Sequence, residues 1–180
     1  MKIFGIAGWS GAGKTTLIER LLPVLRSRGL TVSVIKHAHE RFDIDRPGKD
    51  SYRMREAGSH EVLISSPKRW ALMHENGDGP EPGLVDLLAC LGPCDLVLVE
   101  GFKRDPIPKL EVHRSVLGKP LLFPVDARIV AVACDSDLET DLPQFALDDV
   151  DAIASAILSL SEAPGLDRHH RERKAPTRAR

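Results

Sequence analysis

The segment from Gly8 to Thr15 constrains the fold of this 180-residue chain more than any other stretch. It carries a glycine, four further residues, a second glycine, a lysine and a threonine, which is the phosphate-loop pattern. Apolar residues 3–7 before it predict a buried strand, and apolar residues spaced three or four apart over residues 17–25 predict a helix after it. A strand, a glycine-rich loop and a helix in this order predict a binding site for the phosphates of a nucleoside triphosphate.

Each residue type in the loop suits phosphate binding. Gly11 and Gly13 allow successive backbone N–H groups to converge on phosphate oxygens. Lys14 would reach the β- and γ-phosphates and stabilise charge on the transferred phosphoryl group, which makes it a candidate catalytic residue, and the Thr15 hydroxyl would bind Mg²⁺. The predicted nucleotide contacts in this region are Gly11, Ala12, Gly13, Lys14, Thr15 and Thr16.

Strand patterns and helix patterns are interspersed along the rest of the chain. Runs that are β-branched or continuously apolar occur at residues 31–37, 95–100 and 128–133. This alternation predicts an α/β chain with a P-loop NTPase-type three-layer fold and a mostly parallel sheet. Two short strand patterns over residues 60–74 predict a β-hairpin insertion in that fold.

The domain organisation follows from where the apolar periodicity ends. We predict one P-loop nucleotide-binding domain over residues 1–160. Residues 162–180 contain six lysines and arginines against three aspartates and glutamates. We therefore predict a disordered basic tail over residues 161–180, with an arm for nucleic acid or an acidic partner as the alternative.

The composition limits the classes of function. A formal net charge of −1 argues against general binding of nucleic acid or of a membrane surface. No apolar run is long enough to span a bilayer, and the amino terminus leads directly into a strand pattern without the segments of a secretory signal. Three cysteines without framework spacing suit a reducing compartment. We therefore expect a cytoplasmic protein.

Polar side chains follow several predicted strands, and the carboxyl ends of parallel strands meet at one edge of a sheet. Glu100 ends an apolar strand and is predicted to be the second Mg²⁺ ligand beside Thr15. Lys36 and His37 end another strand, and Lys103 follows Glu100 closely. We predict that Lys36, His37 and Lys103 hold an anionic ligand or substrate at this edge.

The polar segment after the second strand adds candidates for the same pocket. Asp45 would act as a catalytic residue that positions water or magnesium, and a turn-forming aspartate beside Pro47 is the alternative. Lys49 and Arg53 would hold an anionic ligand. Arg55 could also belong to this pocket, but a solvated helix face explains its presence equally well.

The sequence leaves the identity of the base open. Asp135 follows a late strand, where guanine-specific proteins place an aspartate that reads the N1 and N2 donors of the base. The asparagine and lysine that accompany that aspartate in the guanine motif are missing here, so spacing does not decide between guanine and adenine. Trp9 is expected to be exposed over the site, where it would either stack on the base or contact a partner.

Four segments together resemble the MobB family, the GTP-binding adaptor proteins of molybdopterin-guanine dinucleotide biosynthesis. They are residues 8–16, Ile35–His39, Asp45–Ser51 and Val99–Lys103. The resemblance runs from the first strand to about residue 160 and implies a phosphate-loop fold close to dethiobiotin synthetase and the signal-recognition GTPases. It also implies GTP and Mg²⁺ as cofactors, slow hydrolysis and a homodimer served by the hairpin. The implied partners are the molybdopterin guanylyltransferase, molybdopterin and molybdoenzymes.

The function predicted on this basis is a GTP-binding adaptor with at most slow, Mg²⁺-dependent GTPase activity, because no glutamine or arginine finger is identifiable in the sequence. One alternative is an ATP-dependent small-molecule kinase or ligase of the dethiobiotin synthetase type, in which Lys36, Lys49 and Lys103 hold a small acidic substrate. Another is a metal-delivery GTPase that uses His37, His39 or the cysteines.

Overall fold

A computed structural model describes residues 1–38, 42 and 44–164. The chain divides into two compact units, one formed by Met1–His37 with the chain from Leu91 onward and the other by Ala38–Cys90, and each is described by itself. In chain order the elements are β1 (Lys2–Ala7), α1 (Lys14–Ser27), β2 (Val32–Lys36), α2 (Asp50–Glu56), β3 (Glu61–Ser65), β4 (Trp70–His74), α3 (Leu84–Ala89), β5 (Leu96–Glu100), β6 (Lys109–His113), a 3₁₀ turn (Ser115–Leu117), β7 (Ile129–Cys134), β8 (Gln144–Ala146) and α4 (Val150–Leu160).

The first unit is built on a six-stranded sheet with the order β2-β5-β1-β6-β7-β8. Each neighbouring pair of strands in this order is parallel. The sheet confirms the predicted α/β fold of the P-loop type. Because β1 lies between β5 and β6, the loop that leaves β1 is flanked by the residues that end both neighbours.

One face of the sheet carries the apolar core. The helices α1 and α4 pack against each other over this face. The predicted inner face of α1 is confirmed, since Leu17, Ile18, Leu21 and Leu25 are all buried. On the strands, Phe4, Leu98 and Leu110 belong to the same buried cluster. Burial of side chains of this size contributes about 1.5–3 kcal/mol each, so the core anchors the loop at the end of β1.

The other face of β6 buries charged side chains. Lys109 and Glu111, which alternate with Leu110 along the strand, are 1% and 0% exposed. The Lys109 ammonium lies 3.1 Å from an Asp126 oxygen. The Glu111 carboxylate accepts hydrogen bonds of 2.8–3.0 Å from the backbone N–H groups of residues 122–123. These bonds satisfy the buried charges and attach the segment before β7 to the sheet.

The second unit contains α2, the β3–β4 hairpin and α3. The predicted hairpin is confirmed, with Val62 opposite Met73 and Leu63 opposite Leu72 in an antiparallel pair. Val62 and Met73 are buried, whereas Leu63, Leu72 and Trp70 are exposed. The exposed set lies on one face of the ribbon, because side chains alternate between faces along a strand.

Arg55 is not the solvated helix residue that we considered from the sequence. Its side chain is 17% exposed and bonds to two carboxylates, Asp45 and Glu75, at 2.9 Å each. The sequence analysis also missed β8, because Gln144–Ala146 carries no apolar run. Among the residues that the structure describes, no helix is both long and apolar enough to cross a membrane.

Candidate functional site

The loop after β1 has glycines at positions where its backbone requires them. Gly8 has φ +139°, and a Cβ there would lie 2.4 Å from the Val112 carbonyl oxygen of β6. Gly13 has φ +97° and caps α1, which begins at Lys14. The amide end of α1 therefore follows directly on the loop, where its dipole favours a bound anion.

Thr15 and Glu100 meet at the start of α1, as the sequence predicts for a metal site. The Thr15 hydroxyl lies 3.1 Å and 3.0 Å from the two Glu100 oxygens. Two oxygen ligands at right angles on one Mg²⁺, each about 2.1 Å from the ion, would be about 3 Å apart. The spacing and the all-oxygen chemistry of this pair therefore fit a magnesium ion.

A lysine side chain lies against the same pair. The Lys36 ammonium is 3.0 Å from the Thr15 hydroxyl and 3.4 Å from a Glu100 oxygen. The predicted anion-binding residue Lys36 is thus brought to the loop, where it contacts both predicted metal ligands.

Lys14 points back into its own loop. Its ammonium donates a 2.9 Å hydrogen bond to the Trp9 carbonyl oxygen. Burial lowers the pKa of Lys14, Glu100 opposes that shift, and the ammonium groups of Lys103 and Lys36 add to it. Several cations therefore share this region, which is the charge pattern that a polyphosphate would complement.

Trp9 and Lys103 form a second contact beside the loop. Trp9 is half-buried and not simply exposed as expected, since its indole N–H donates a 2.7 Å bond to the Pro120 carbonyl oxygen. The ammonium groups of Lys103 and Lys119 lie 5.3 Å and 5.8 Å from the centre of its ring. The structure brings Lys103 to the loop, as predicted, and adds Lys119, which was not predicted to lie there.

His37 packs against the turn that follows β5. Gly101 has φ +100°, and a Cβ there would lie 2.5 Å from the His37 Cβ. The His37 backbone N–H donates to the Glu100 carbonyl oxygen at 2.8 Å, and its ring lies 5.1 Å from that of Phe102. This close approach fixes the position of Glu100 relative to β2.

Arg114 is a site residue that the sequence analysis missed. It follows β6, and its guanidinium donates an Nε bond of 3.1 Å to the Ala12 carbonyl oxygen of the loop. The same rule that selected Glu100, a polar residue directly after a strand beside β1, would have found it.

A cleft of about 660 Å³ lies at the carboxyl ends of β7 and β8. Among the residues that line it are Arg20, Arg114, Asp135, Asp137 and Asp148. Asp135 accepts a 2.8 Å bond from the Ser115 backbone N–H, which is the main reason that its pKa is lowered. Arg114 therefore connects the cleft to the loop.

Asp45, Lys49 and Arg53 lie in the second unit. Both oxygens of Asp45 accept from Arg55, at 2.9 Å and 3.3 Å. Lys49 is exposed, and Arg53 is exposed with Asp50 at 3.9 Å. The predicted part of Asp45, Lys49 and Arg53 in the nucleotide pocket stays a prediction.

The described candidates for a transition-metal site, His37 and the cysteines, do not form a cluster of metal ligands. In residues 1–38, 42 and 44–164, no group of three or more His, Cys, Asp or Glu residues is arranged to hold a metal ion. His39 lies outside the described residues. Cys90, Cys94 and Cys134 are free cysteines.

The chain is similar to known proteins along most of its length. The family model of molybdopterin guanine dinucleotide synthesis protein B, MobB, matches residues 3–135. The molybdopterin-guanine dinucleotide biosynthesis adapter protein of Haemophilus influenzae is 46% identical over 158 residues, which are 86% of each chain. The adapter protein of Escherichia coli K12 is 40% identical over 159 residues, 87% of this chain and 91% of that one. A crystal structure of molybdopterin-guanine biosynthesis protein B matches 88% of this chain and 99% of its own, with a TM-score of 0.65 and 32% identity.

Proposed function

Because this chain belongs to the MobB family of molybdopterin guanine dinucleotide synthesis proteins, we propose that it is the GTP-binding adaptor of that pathway. In this proposal it binds GTP with Mg²⁺ at the loop between β1 and α1 and hydrolyses it slowly. It then assists the guanylyltransferase that attaches GMP to molybdopterin. The free cysteines agree with a reducing, cytoplasmic setting.

The observation that carries the proposal is the contact between Thr15 and Glu100 at 3.0–3.1 Å, directly beside the loop and Lys14. When bound, Mg²⁺ would be held by these two side chains, directly or through water, and would neutralise charge on the β- and γ-phosphates. Lys14 would exchange its bond to the Trp9 carbonyl for the phosphate oxygens. The loop amides would hold the same oxygens in place.

Slow turnover agrees with what surrounds Lys14. Among the described residues, the charged groups that act on the Lys14 pKa are the ammonium ions of Lys103 and Lys36 and the Glu100 carboxylate, which Thr15 and Lys36 already contact. Arg114 uses its Nε on the Ala12 carbonyl and so holds the loop in shape. These groups are suited to binding a triphosphate. Fast hydrolysis would require a further residue, or a partner protein, that orients the attacking water.

We place the base in the cleft beyond β7 and β8. The cleft of about 660 Å³ adjoins Arg114, and Asp135 lines it at the position expected for a carboxylate that reads guanine. The bond from the Ser115 N–H keeps the Asp135 side chain ionised and in one orientation. A fixed carboxylate favours guanine, which presents N1 and N2 donors, over adenine, whose N1 is an acceptor.

The hairpin of the second unit supports a homodimer. Leu63, Leu72 and Trp70 share one face of β3–β4 and are 62%, 43% and 66% exposed. A two-stranded ribbon with an exposed apolar face gains stability by packing against another surface. A second copy of the chain presents the same face.

Titration with nucleotides tests the proposal. Wild-type protein with Mg²⁺ should bind GTP at least about tenfold more tightly than ATP, because one fixed hydrogen-bond pair is worth about 1–3 kcal/mol. Lys14→Ala should abolish binding of both, and Arg26→Ala, which removes an exposed charge from the same helix, should bind like wild type. Calorimetric titration measures each affinity.

Two results would contradict the proposal. If Lys14→Ala binds GTP as tightly as wild type, the loop between β1 and α1 is not the phosphate-binding site. Tight ATP binding together with turnover on a small carboxylic acid would replace the adaptor by the ATP-dependent kinase or ligase alternative.

A further inference from the structure

The Lys36 ammonium lies where the proposed metal site would bind a cation. It lies 3.0 Å from the Thr15 hydroxyl and 3.4 Å from a Glu100 oxygen, and these two groups contact each other. The three polar groups thus form a closed triangle. Thr15 and Glu100 are the same oxygen ligands that the proposed function assigns to Mg²⁺.

The strand register fixes this arrangement. Lys36 and Glu100 are directly opposite each other in the parallel pair of β2 and β5. Residues paired in this way project their side chains from the same side of a sheet. The ammonium is therefore brought to the carboxylate by the backbone, although the Lys36 side chain is 54% exposed and has open solvent available to it.

The Lys36 ammonium stabilises the Glu100 carboxylate. The Glu100 side chain is only 11% exposed, and a buried carboxylate without a positive partner is strongly destabilising. Lys36 supplies a positive charge 3.4 Å from a Glu100 oxygen, and Thr15 supplies a hydrogen-bond donor. These two contacts compensate the charge of the carboxylate.

We propose that Lys36 is a positioning residue that holds Thr15 and Glu100 together in the metal-free protein and must leave them when Mg²⁺ binds. This inference rests on the metal site of the proposed function. An ammonium and a divalent ion cannot share the two oxygens at about 3 Å without strong repulsion. The flexible four-carbon stem of lysine allows the ammonium to swing to phosphate oxygens instead.

The exchange couples the metal to the nucleotide. Without nucleotide, Mg²⁺ must displace the ammonium into solvent, so the empty protein binds the ion weakly. With a triphosphate present, the phosphates both ligate the ion and receive the displaced ammonium. Binding of either ligand therefore strengthens binding of the other, by the same factor in both directions.

Titration of nucleotide-free protein with Mn²⁺, which replaces Mg²⁺ and is read by electron paramagnetic resonance, tests the exchange. Lys36→Met removes the competing cation and should raise Mn²⁺ affinity by about fivefold or more. Lys119→Met is the charge-matched control, since that exposed ammonium lies 5.8 Å from the centre of the Trp9 ring and has no predicted part in the site. It should change the affinity much less. Equal affinities in Lys36→Met, Lys119→Met and wild type would overturn the inference.

Two further variants separate competition from a loss of folding. Lys36→Gln is neutral and polar and should behave like Lys36→Met, with circular dichroism reporting the fold of each. Lys36→Arg keeps the positive charge and should keep Mn²⁺ binding weak. Strengthened Mn²⁺ binding in Lys36→Arg, equal to that of the neutral variants, would also count against the inference.

The same titration distinguishes failure of this inference from failure of the proposed function. If GTP does not create a tighter Mn²⁺ site in the wild-type protein, the proposed metal site is wrong, and the inference falls with it. If GTP does create that site, while the neutral variants bind Mn²⁺ as weakly as wild type without nucleotide, only the inference is wrong.

Discussion

Asp45 and Arg55 form a specific ion pair inside the second unit. The guanidinium bonds to both Asp45 oxygens, at 2.9 Å and 3.3 Å, and to a Glu75 oxygen at 2.9 Å. The hydrogen bond from Arg55 lowers the pKa of Asp45 more than any other contact. Through these bonds, Arg55 connects α2 to Asp45, which precedes the helix, and to Glu75, which follows β4.

The lowered pKa gives this pair a defined pH dependence. A carboxyl whose pKa is lower in the folded than in the unfolded state stabilises the fold above its unfolded value of about 3.9. That stabilisation is lost as the pH falls through the lower folded value. We expect Asp45→Asn to reduce the urea midpoint at pH 7 by an amount that is constant down to about pH 5 and shrinks below about pH 4.

Asp50→Asn is the matched control for this prediction, because Asp50 is exposed and lies 3.9 Å from the exposed Arg53. Its urea midpoint should stay near that of wild type, since exposed pairs contribute little. A midpoint difference for Asp45→Asn that is the same at pH 3 as at pH 7 would contradict the assignment. The GTP hydrolysis rate of Asp45→Asn at a temperature where it is folded tests the predicted catalytic part of Asp45.

At the scale of elements, the β3–β4 hairpin has two different faces. Val62 and Met73 are buried on one face, and Leu63, Leu72 and Trp70 are exposed on the other. The sequence predicts the hairpin, because two short strand patterns are separated by a turn. It does not predict which face finds a partner, because both faces carry apolar residues.

A charge on the exposed face should weaken the proposed homodimer. Leu72→Glu would bury carboxylates in the interface, and we expect the dimer dissociation constant to rise at least about tenfold, the loss typical of a central interface residue. Val125→Glu is the control, since Val125 is 85% exposed and belongs to the first unit. Sedimentation velocity across a concentration series measures both. A Leu72→Glu protein that dimerises like wild type would move the interface elsewhere.

The strand β6 illustrates what a local pattern cannot predict. Its five residues, Lys109–His113, alternate charged and apolar side chains up to Val112. Nothing in the pattern says that Lys109 and Glu111 are buried, because charged side chains in a short strand are usually solvated. They are buried because Asp126 and the N–H groups at residues 122–123 reach them from a segment outside the strand.

At the scale of the whole molecule, the proposed adaptor must bind both a nucleotide and an enzyme. We expect purified protein and molybdopterin guanylyltransferase to elute together in size-exclusion chromatography. We also expect GTP with Mg²⁺ to change the affinity of the complex by about fivefold or more, because a coupling of 1–3 kcal/mol is typical of linked sites. Lys14→Ala, which should not load nucleotide, is the control for the second effect.

Separate elution of the two folded proteins at micromolar concentrations, with and without GTP, would argue against the adaptor proposal. If wild type and Lys14→Ala form the complex equally well, the proposed partner would be supported and the proposed coupling to the nucleotide would be wrong. The two parts of the prediction are thus tested independently.

Local patterns in the sequence predict the phosphate loop and the main elements around it, although not β8. The loop from Gly8 to Thr15, the inner face of α1 and the buried strand that ends at Glu100 are local patterns, which depend on residues close together in the chain. The resemblance to the MobB family, carried by four short segments, is confirmed by the family match over residues 3–135.

Which side chains meet depends on the tertiary structure. The order β2-β5-β1-β6 places Lys36 opposite Glu100 and brings Thr15 to the same point. It also places Arg114 against the Ala12 carbonyl, 102 residues earlier in the chain. Strand order and register depend on how the whole core packs, and neither can be derived from the composition of one strand. For that reason the sequence predicted Lys36 as a group for binding anions, and the structure places its ammonium against Thr15 and Glu100, the predicted metal ligands.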